Sequence, residues 1–292
     1  MDTHSLETFL MLSKLKNFSL TADKMYVAQS TVTNRIAELE KVLGKKLFIR
    51  DKKHVELTGE GILFENYARR ILELEKSAIQ EINQAVSYKS TIRIGSAQTI
   101  YDCHLYHVIY SFLKCNSDTA VKITLGHSHI MLQKLDDNLL DLVFSYIDYK
   151  KHGYKSVPFI NDEMILVTSP ENNDYINGIT KRELLKINYL MCDLVLDGTG
   201  QFVRRLFPPY YQFCFEIDTS TKLIKYLIDG FGYSFLPKSL VEPYIEKEIL
   251  ISVPLIGFEA PKLKSYFVYK VNNKKVQEFI EKSSIDECSR LY

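Results

Sequence analysis

The chain has 292 residues, 46% of them hydrophobic and 25% charged, and a net charge of +1. That length suits about two domains, and the composition excludes a disordered chain, a collagen or a coiled-coil rod. No apolar run reaches the ~18 residues a membrane span needs, and five cysteines without a CxxC pair form neither a disulfide framework nor a zinc finger.

Asp2, His4 and Glu7 stand where a signal peptide would be basic and then apolar, so a cytoplasmic protein is expected. Charge is unevenly spread. Lys14 to Lys53 carry 10 basic residues against 4 acidic, and the rest of the chain carries 27 against 32. A basic head on an acidic body fits a polyanion partner at that end, or simply a solvated face.

In chain order, Leu6, Phe9, Leu10 and Leu12 repeat with helical period, and Leu15 to Asn17 breaks that helix. Ser19 is placed to cap a short helix from Leu20 to Met25. Tyr26, Val27 and Ala28 form a turn, and a third helix runs from Gln29 to Leu43 with Gly44 ending it. This is the spacing of a helix-turn-helix. Two apolar runs around a charged turn, Leu47–Arg50 and Val55–Leu57, read as a β-hairpin wing. Thr58 is a good N-cap for a helix from Gly59 to about Tyr88, which at 1.5 Å per residue would be about 45 Å long. Ala68, Leu72, Glu75, Ile79, Ile82 and Val86 make a heptad-like stripe on it, suited to pairing with a second copy or to packing within its own chain.

From Thr91 the pattern becomes alternating strand and helix. Strands are expected at Thr91–Gly95, Val121–Leu125, Leu142–Tyr146, Met164–Val167, Tyr189–Cys192, Phe213–Ile217, Tyr233–Leu236 and Ser265–Val271. Helices are expected around His104–Cys115, up to Asn138, and at Gln201–Phe207, Thr219–Asp229 and Lys274–Ser283. Two series of βα units predict mostly parallel sheets and two small α/β lobes with a ligand cleft between them.

Between Asn17 and Gly61 the residues Phe18, Ala22, Met25, Val27, Gln29, Val32, Thr33, Ile36, Leu39, Glu40, Gly44, Leu47, Phe48, Arg50, Leu57, Thr58 and Gly61 form an ungapped motif. With Ile92-Arg93-Ile94-Gly95, Leu140-Asp141-Leu142 and Gly230 to Pro237 downstream, the chain resembles the LysR-type transcriptional regulators over essentially its whole length. Thr21 stands where that family usually has Ala, Ala28 where it has Ser or Thr, and Asn138 where it has Gly.

The resemblance implies an α/β fold class: an N-terminal winged helix-turn-helix (1–58), a linker and dimerisation helix (59–89) and a two-lobed, periplasmic-binding-protein-like effector domain (90–292). The second lobe would be inserted in the first, with crossings near Asn161 and Leu263, so that 91–160 and 264–292 share a lobe. The implied partners are double-stranded promoter DNA, further copies of the chain as a homodimer and homotetramer, a small-molecule effector and RNA polymerase, with no membrane.

Helical geometry assigns DNA contacts. Val32, Ile36 and Leu39 would bury one face of the third helix. Gln29, Ser30, Thr31, Thr33, Asn34 and Arg35 are left near its exposed start, where amides can pair with adenine in the major groove. Arg50, Lys52 and Lys53 at the wing suit phosphate contacts, although Arg50 could instead pair with Glu40 or Asp51. In the body, Ser96, Gln98 and Thr99 follow one strand and His127, Ser128 and His129 another, each before a helix start. Thr199 and Gln201 would close the site from the second lobe around a small anion, with carboxylate metabolites first.

Asp102, Cys103, His104 and His107 could sense a metal, and Cys192 with Cys214 redox state. Core or rim histidines and structural thiols are the competing readings. No GxSxG or Walker motif is present, so no catalytic residue and no cofactor is assigned, and an α/β enzyme with a DNA-binding head is the lesser alternative.

Overall fold

A computed structural model of the chain describes residues 1–50, 54–83, 88–192, 199–283 and 285. It divides into two compact units, Met1–Val86 and Ser87–Tyr292. Among the described residues no helix is long and apolar enough to cross a membrane.

The first unit opens with α1 (Thr3–Leu15), whose N-cap Asp2 accepts a hydrogen bond from the Ser5 amide. In α2 (Phe18–Met25) the cap is Asn17 rather than Ser19: its side chain accepts from the Leu20 amide at 2.9 Å. A cap needs extended backbone one residue before the helix, which Asn17 has, while Ser19 already lies inside the first turn. Tyr26, in the left-handed region, turns the chain into α3 (Gln29–Leu43), which ends at Gly44 with φ 65°. Leu6, Phe9, Leu12, Val32, Ile36 and Leu39 are buried between these helices, each contributing about 1.5–3 kcal/mol.

Strands β1 (Phe48–Arg50) and β2 (Val55–Leu57) pair antiparallel as the wing. Thr58 caps α4 (Gly59–Ile82) by accepting from the Gly61 amide. A Cβ on Gly61 would lie 2.2 Å from the Leu47 carbonyl oxygen, so only glycine lets the helix start this close to the wing. Helix α4 has 24 residues, about 36 Å, and ends before Tyr88. Asn83, a poor helix former, closes it. The anticipated stripe divides between two faces. Ala68 and Leu72 pack into the core with Phe9 and Phe48, and Glu75 accepts from the Thr3 hydroxyl. Ile79 and Ile82 are 53% and 83% exposed. A different row, Leu63, Tyr67, Ile71 and Leu74, is exposed along the same helix and leads by helical spacing to Ile82. Val86 lies outside the described residues.

The second unit begins with β3 (Ser90–Ser96), then α5 (Gln98–Ile100), which runs through a π-turn (Tyr101–Leu105) into α6 (Tyr106–Cys115). Next come β4 (Thr119–Leu125), α7 (Ser128–Asp136), β5 (Leu142–Ser145) and the 15-residue β6 (Tyr154–Thr168). Then follow β7 (Ile179–Thr180), β8 (Met191–Cys192), α8 (Thr199–Arg205), β9 (Glu216–Ile217), α9 (Ser220–Ile228), β10 (Ser234–Pro237) and α10 (Lys238–Ile245). The last elements are β11 (Ile251–Val253), β12 (Leu255–Ile256), β13 (Lys262–Lys270) and α11 (Lys274–Ser283).

The main sheet has the order β10-β6-β13-β5-β3-β4, with β11 also pairing β6. It is mixed rather than mostly parallel. β3 is parallel to β4 and β5, but β13 inserts antiparallel between β5 and β6, and β10 and β11 are antiparallel to β6. The cause is the return of the chain: β13 runs against β5 and β6 to reach α11. β6 and β13 cross between the two lobes, with Asn161 opposite Lys264 and Asp162 opposite Leu263. A bulge between Lys264 and Tyr266 bends the pair there, and buried Ser265 bonds both the amide and the carbonyl of Ile160.

One lobe is built on Ile94, Ile109, Phe112, Phe144, Phe267 and Phe279. The other rests on two clusters, one around Leu166, Tyr189 and Phe235, the other around Val167, Leu223 and Leu236. Arg93 and Asp141 tie two of the sequence motifs together. The Arg93 guanidinium grips the Asp141 carboxylate through Nε and Nη2 at 3.1 and 3.0 Å, and the Arg93 amide donates to the same side chain. Asn138 has φ 58°, the conformation glycine favours and asparagine tolerates next best, and its side chain accepts from Lys270 Nζ.

Candidate functional sites

In the first unit, Val32, Ile36 and Leu39 are fully buried, which turns the opposite face of α3 outward. Gln29, Ser30 and Asn34 are exposed on it, with Thr31 and Thr33 half-buried. Ala28 supplies no side-chain cap, so the positive end of the helix is open to an anion. Gln29 is steadied by the Ser19 hydroxyl at 3.2 Å, and the Thr33 hydroxyl turns back to the Gln29 carbonyl. Arg35 departs from the expected set. It is half-buried and donates to the Thr8 hydroxyl at 3.2 Å, because its position on α3 flanks the face packed on α1.

Arg50 ends β1 opposite Val55, while Lys52 and Lys53 lie outside the described residues. The partners of Glu40 are Lys46 and the amides of Leu47 and Phe48, at 2.7, 3.0 and 3.4 Å. Burial would raise the Glu40 pKa, but these donors outweigh it and hold the carboxyl below its ordinary value. Glu40 thereby anchors the start of the wing to α3.

In the second unit, the ends of three strands deliver three helix starts to one small cavity of about 70 Å³. Its lining includes the N-cap residues Ala97, His127 and Thr219, none of which makes a side-chain cap bond. Gln98, Thr99, His127 and Ser128 from the first lobe meet Asp218 and Thr219 from the second, with Tyr146 beside them. Hydrogen bonds close the cleft. The Thr99 and Ser220 hydroxyls are 2.6 Å apart, both buried; Gln98 donates to the Thr221 hydroxyl at 3.3 Å; His127 Nε2 lies 3.2 Å from Asp218 Oδ2. The Ser128 hydroxyl accepts the Tyr146 amide. Burial raises the Tyr146 phenol well above its usual pKa, so it stays a neutral donor.

The other expected effector residues fall elsewhere. Ser96 is fully buried behind the cleft and donates to the Ala97 carbonyl. His129 is exposed and stacks on His127 with centroids 6.0 Å apart. The side chain of Thr199 is not among those described. Gln201 lines a separate open pocket with Arg205, Phe207 and Tyr210 instead of the cleft. The second lobe's share comes from Asp218 to Thr221 at the start of α9. These residues carry the same signal as the first-lobe sets, polar side chains between a strand and an amphipathic helix.

The sensing alternatives meet a different chemistry. Burial pushes the Cys103 thiol up to about 11, so the thiolate needed for metal binding or oxidation is scarce at neutral pH. His104 sits 3.4 Å from the Ser239 hydroxyl and 3.8 Å from Asp162, whereas His107 is exposed against Tyr106. Among the described residues no group of three or more His, Cys, Asp or Glu is placed to hold a metal. Cys192 is buried, and Cys214 is exposed and donates to Asn188 Oδ1; both are free thiols.

The family model for the bacterial regulatory helix-turn-helix protein of the lysR family matches residues 3–62, and that for the LysR substrate binding domain matches residues 87–282. The HTH-type transcriptional regulator CitR of Bacillus subtilis is 26% identical over 285 residues, 96% of this chain and 98% of that one. Among solved structures, the LysR family transcriptional regulator CbnR is 17% identical, with TM-score 0.70 and 99% of both chains covered. Full-length CbnR complexed with its target DNA is 18% identical with TM-score 0.66, covering 97% of this chain and 99% of that one.

Proposed function

The chain belongs to the LysR family of DNA-binding transcriptional regulators, and on that premise we propose how it reads DNA and its signal. Helix α3 enters the major groove. Gln29, Ser30 and Asn34 face base edges, and Arg50, Lys52 and Lys53 of the wing neutralise phosphates. The observation that carries this reading is the division of α3 into one face sealed by Val32, Ile36 and Leu39 and one that leaves Gln29, Ser30 and Asn34 exposed. Arg35 then acts as a strut between α3 and α1.

Two chains pair along the exposed row of α4, which Leu63, Tyr67, Ile71 and Leu74 open, and two pairs make the homotetramer. Such an assembly spans two half-sites on promoter DNA in the cytoplasm and meets RNA polymerase there. The domains are the head and wing (1–58), the linker helix (59–89) and the effector domain (90–292), with lobes 91–160 plus 264–292 and 161–263. No step in this function is enzymatic. The cleft takes a small effector through an anionic group, a carboxylate first. Three helix starts, the Thr99 and Ser220 hydroxyls and the Gln98 amide support that assignment by offering donors and positive dipole ends to one volume.

Binding to an operator fragment over a series of salt concentrations tests the DNA reading. Asn34→Ala should lose about 1–3 kcal/mol on the preferred site and relax base preference locally. Lys52→Ala should weaken every sequence alike and shallow the salt slope by about one unit. If both variants lose specific and non-specific binding in equal proportion, the assigned roles are wrong.

A further inference from the structure

The cleft between the lobes carries a fixed charge of the wrong sign for a plain anion. Asp218 lines the cavity next to the N-cap Thr219, and among the described residues no lysine or arginine lines it to compensate. The Thr219 hydroxyl donates to Asp218 at 3.1 Å and His127 approaches its other oxygen, which together hold the carboxyl below its usual pKa and ionised at neutral pH. The same cavity receives three helix starts, whose positive ends attract a negative group. A ligand with only a carboxylate would satisfy the helix ends and be repelled by Asp218. A ligand with only an ammonium would satisfy Asp218 and be repelled by the helix ends. Complementarity to both demands two opposite charges a few bonds apart.

We propose, resting on the effector reading above, that the cleft binds a small α-amino acid as its zwitterion. The carboxylate takes the place of the Thr99–Ser220 contact, accepting from those two hydroxyls and from the helix starts. The ammonium donates to Asp218 Oδ2, the oxygen that His127 now faces. A cavity of about 70 Å³ suits a short side chain, with any larger one needing the lobes to part. His127 and Asp218 come from different lobes, so the ammonium would exchange one inter-lobe contact for another and report occupancy at the cleft mouth.

Titration calorimetry on the full chain tests this with the protein amino acids. Each one that binds is then compared with the 2-oxo acid and the decarboxylated amine that share its side chain. The amino acid should bind at least roughly tenfold more tightly than either relative, about 1.4 kcal/mol. Asp218→Asn should remove that preference over the 2-oxo acid, weakening the amino acid while leaving the oxo acid equal or tighter. A 2-oxo acid that binds the wild type as well as its amino acid overturns the proposal, and so does an unchanged preference in Asp218→Asn. Either result leaves a plain-anion cleft standing, provided Thr99→Val still weakens the acid. No binding by any amino acid also overturns it. In that event a carboxylate that binds and is weakened by Thr99→Val keeps the cleft reading, and a carboxylate indifferent to Thr99→Val removes that too.

Discussion

The contact between Thr99 and Ser220 gives the cleft a measurable latch. Thr99 is 4% exposed, Ser220 is fully buried, and the two oxygens are 2.6 Å apart on opposite lobes. Thr99→Val keeps the shape and removes the hydroxyl, leaving the Ser220 hydroxyl buried against a methyl group; such an orphan costs about 1–3 kcal/mol. Ser220→Ala orphans the buried Thr99 hydroxyl instead and should cost a similar amount. The double variant has no orphan in the pair and should lose only about 0.5–1.5 kcal/mol, the net worth of one hydrogen bond. The losses are therefore strongly non-additive, with the double variant more stable than the sum of the singles by about 1–4 kcal/mol. The chain has no tryptophan, so urea unfolding followed by circular dichroism is the assay, read as a shift in midpoint at constant slope. A double variant that loses the full sum of the two singles would mean that these hydroxyls are not each other's partners and that the cleft is not latched there.

Three further outcomes follow from the packing. Arg93→Ala should destabilise the effector domain by about 3–5 kcal/mol in thermal denaturation, because the Asp141 side chain is only 9% exposed and would lose its bidentate partner; Arg93→Lys should recover only part of that, and a near-neutral Arg93→Ala would refute the pairing. Tyr67→Asp with Leu74→Asp should give monomers by analytical ultracentrifugation while the head stays folded, since both side chains are exposed; a persistent dimer would move the interface off this row. The folded-state pKa of Glu40 lies below its ordinary value of 4.5, so its stabilisation is complete above pH 4.5 and fades as pH falls through the folded value. Glu40→Gln should accordingly be less stable at pH 7 and lose less on acidification, and an acid-unfolding limb identical to the wild type's would remove Glu40 as a cause.

What was legible in the chain beforehand was whatever depends on short-range pattern. Val32, Ile36 and Leu39 recur with helical period, and Thr58 and Gly44 carry their caps in their chemistry, so the head could be traced nearly residue by residue. The first half of β6 was not, because Pro158 lies inside it and a proline argues against a strand. It is tolerated opposite Tyr266 beside the bulge, where the ladder is already irregular. Helix α10 was hidden in the same way by Pro237 and Pro243. The α4 stripe misled for a different reason: a helix with two apolar faces yields more than one heptad-like row, and only packing shows that Ala68 and Leu72 belong inside while Leu63 and Leu74 do not. At the cleft, the residues adjacent to strand ends on the first lobe could be named, but their second-lobe partners depend on which of two helix starts folds across. Thr199–Gln201 and Asp218–Thr221 look alike locally, and a contact over 121 residues such as Thr99–Ser220 leaves no local trace.

The insertion of β13 between β5 and β6 sets an order on how the molecule can be made. β5 ends at Ser145, and the strand that covers its edge does not begin until Lys262. At a synthesis rate of about 5–20 residues per second, that edge waits roughly ten seconds for its neighbour on the ribosome. The head and the inserted lobe can close on local contacts meanwhile, but the first lobe remains an open sheet with Val143 and Phe144, both buried in the finished fold, uncovered along it. Truncation within β13, or a slow codon run just before it, would thus harm the lobe nearest the start of the effector domain, and chaperone dependence should track residues 262–270 more than any other stretch.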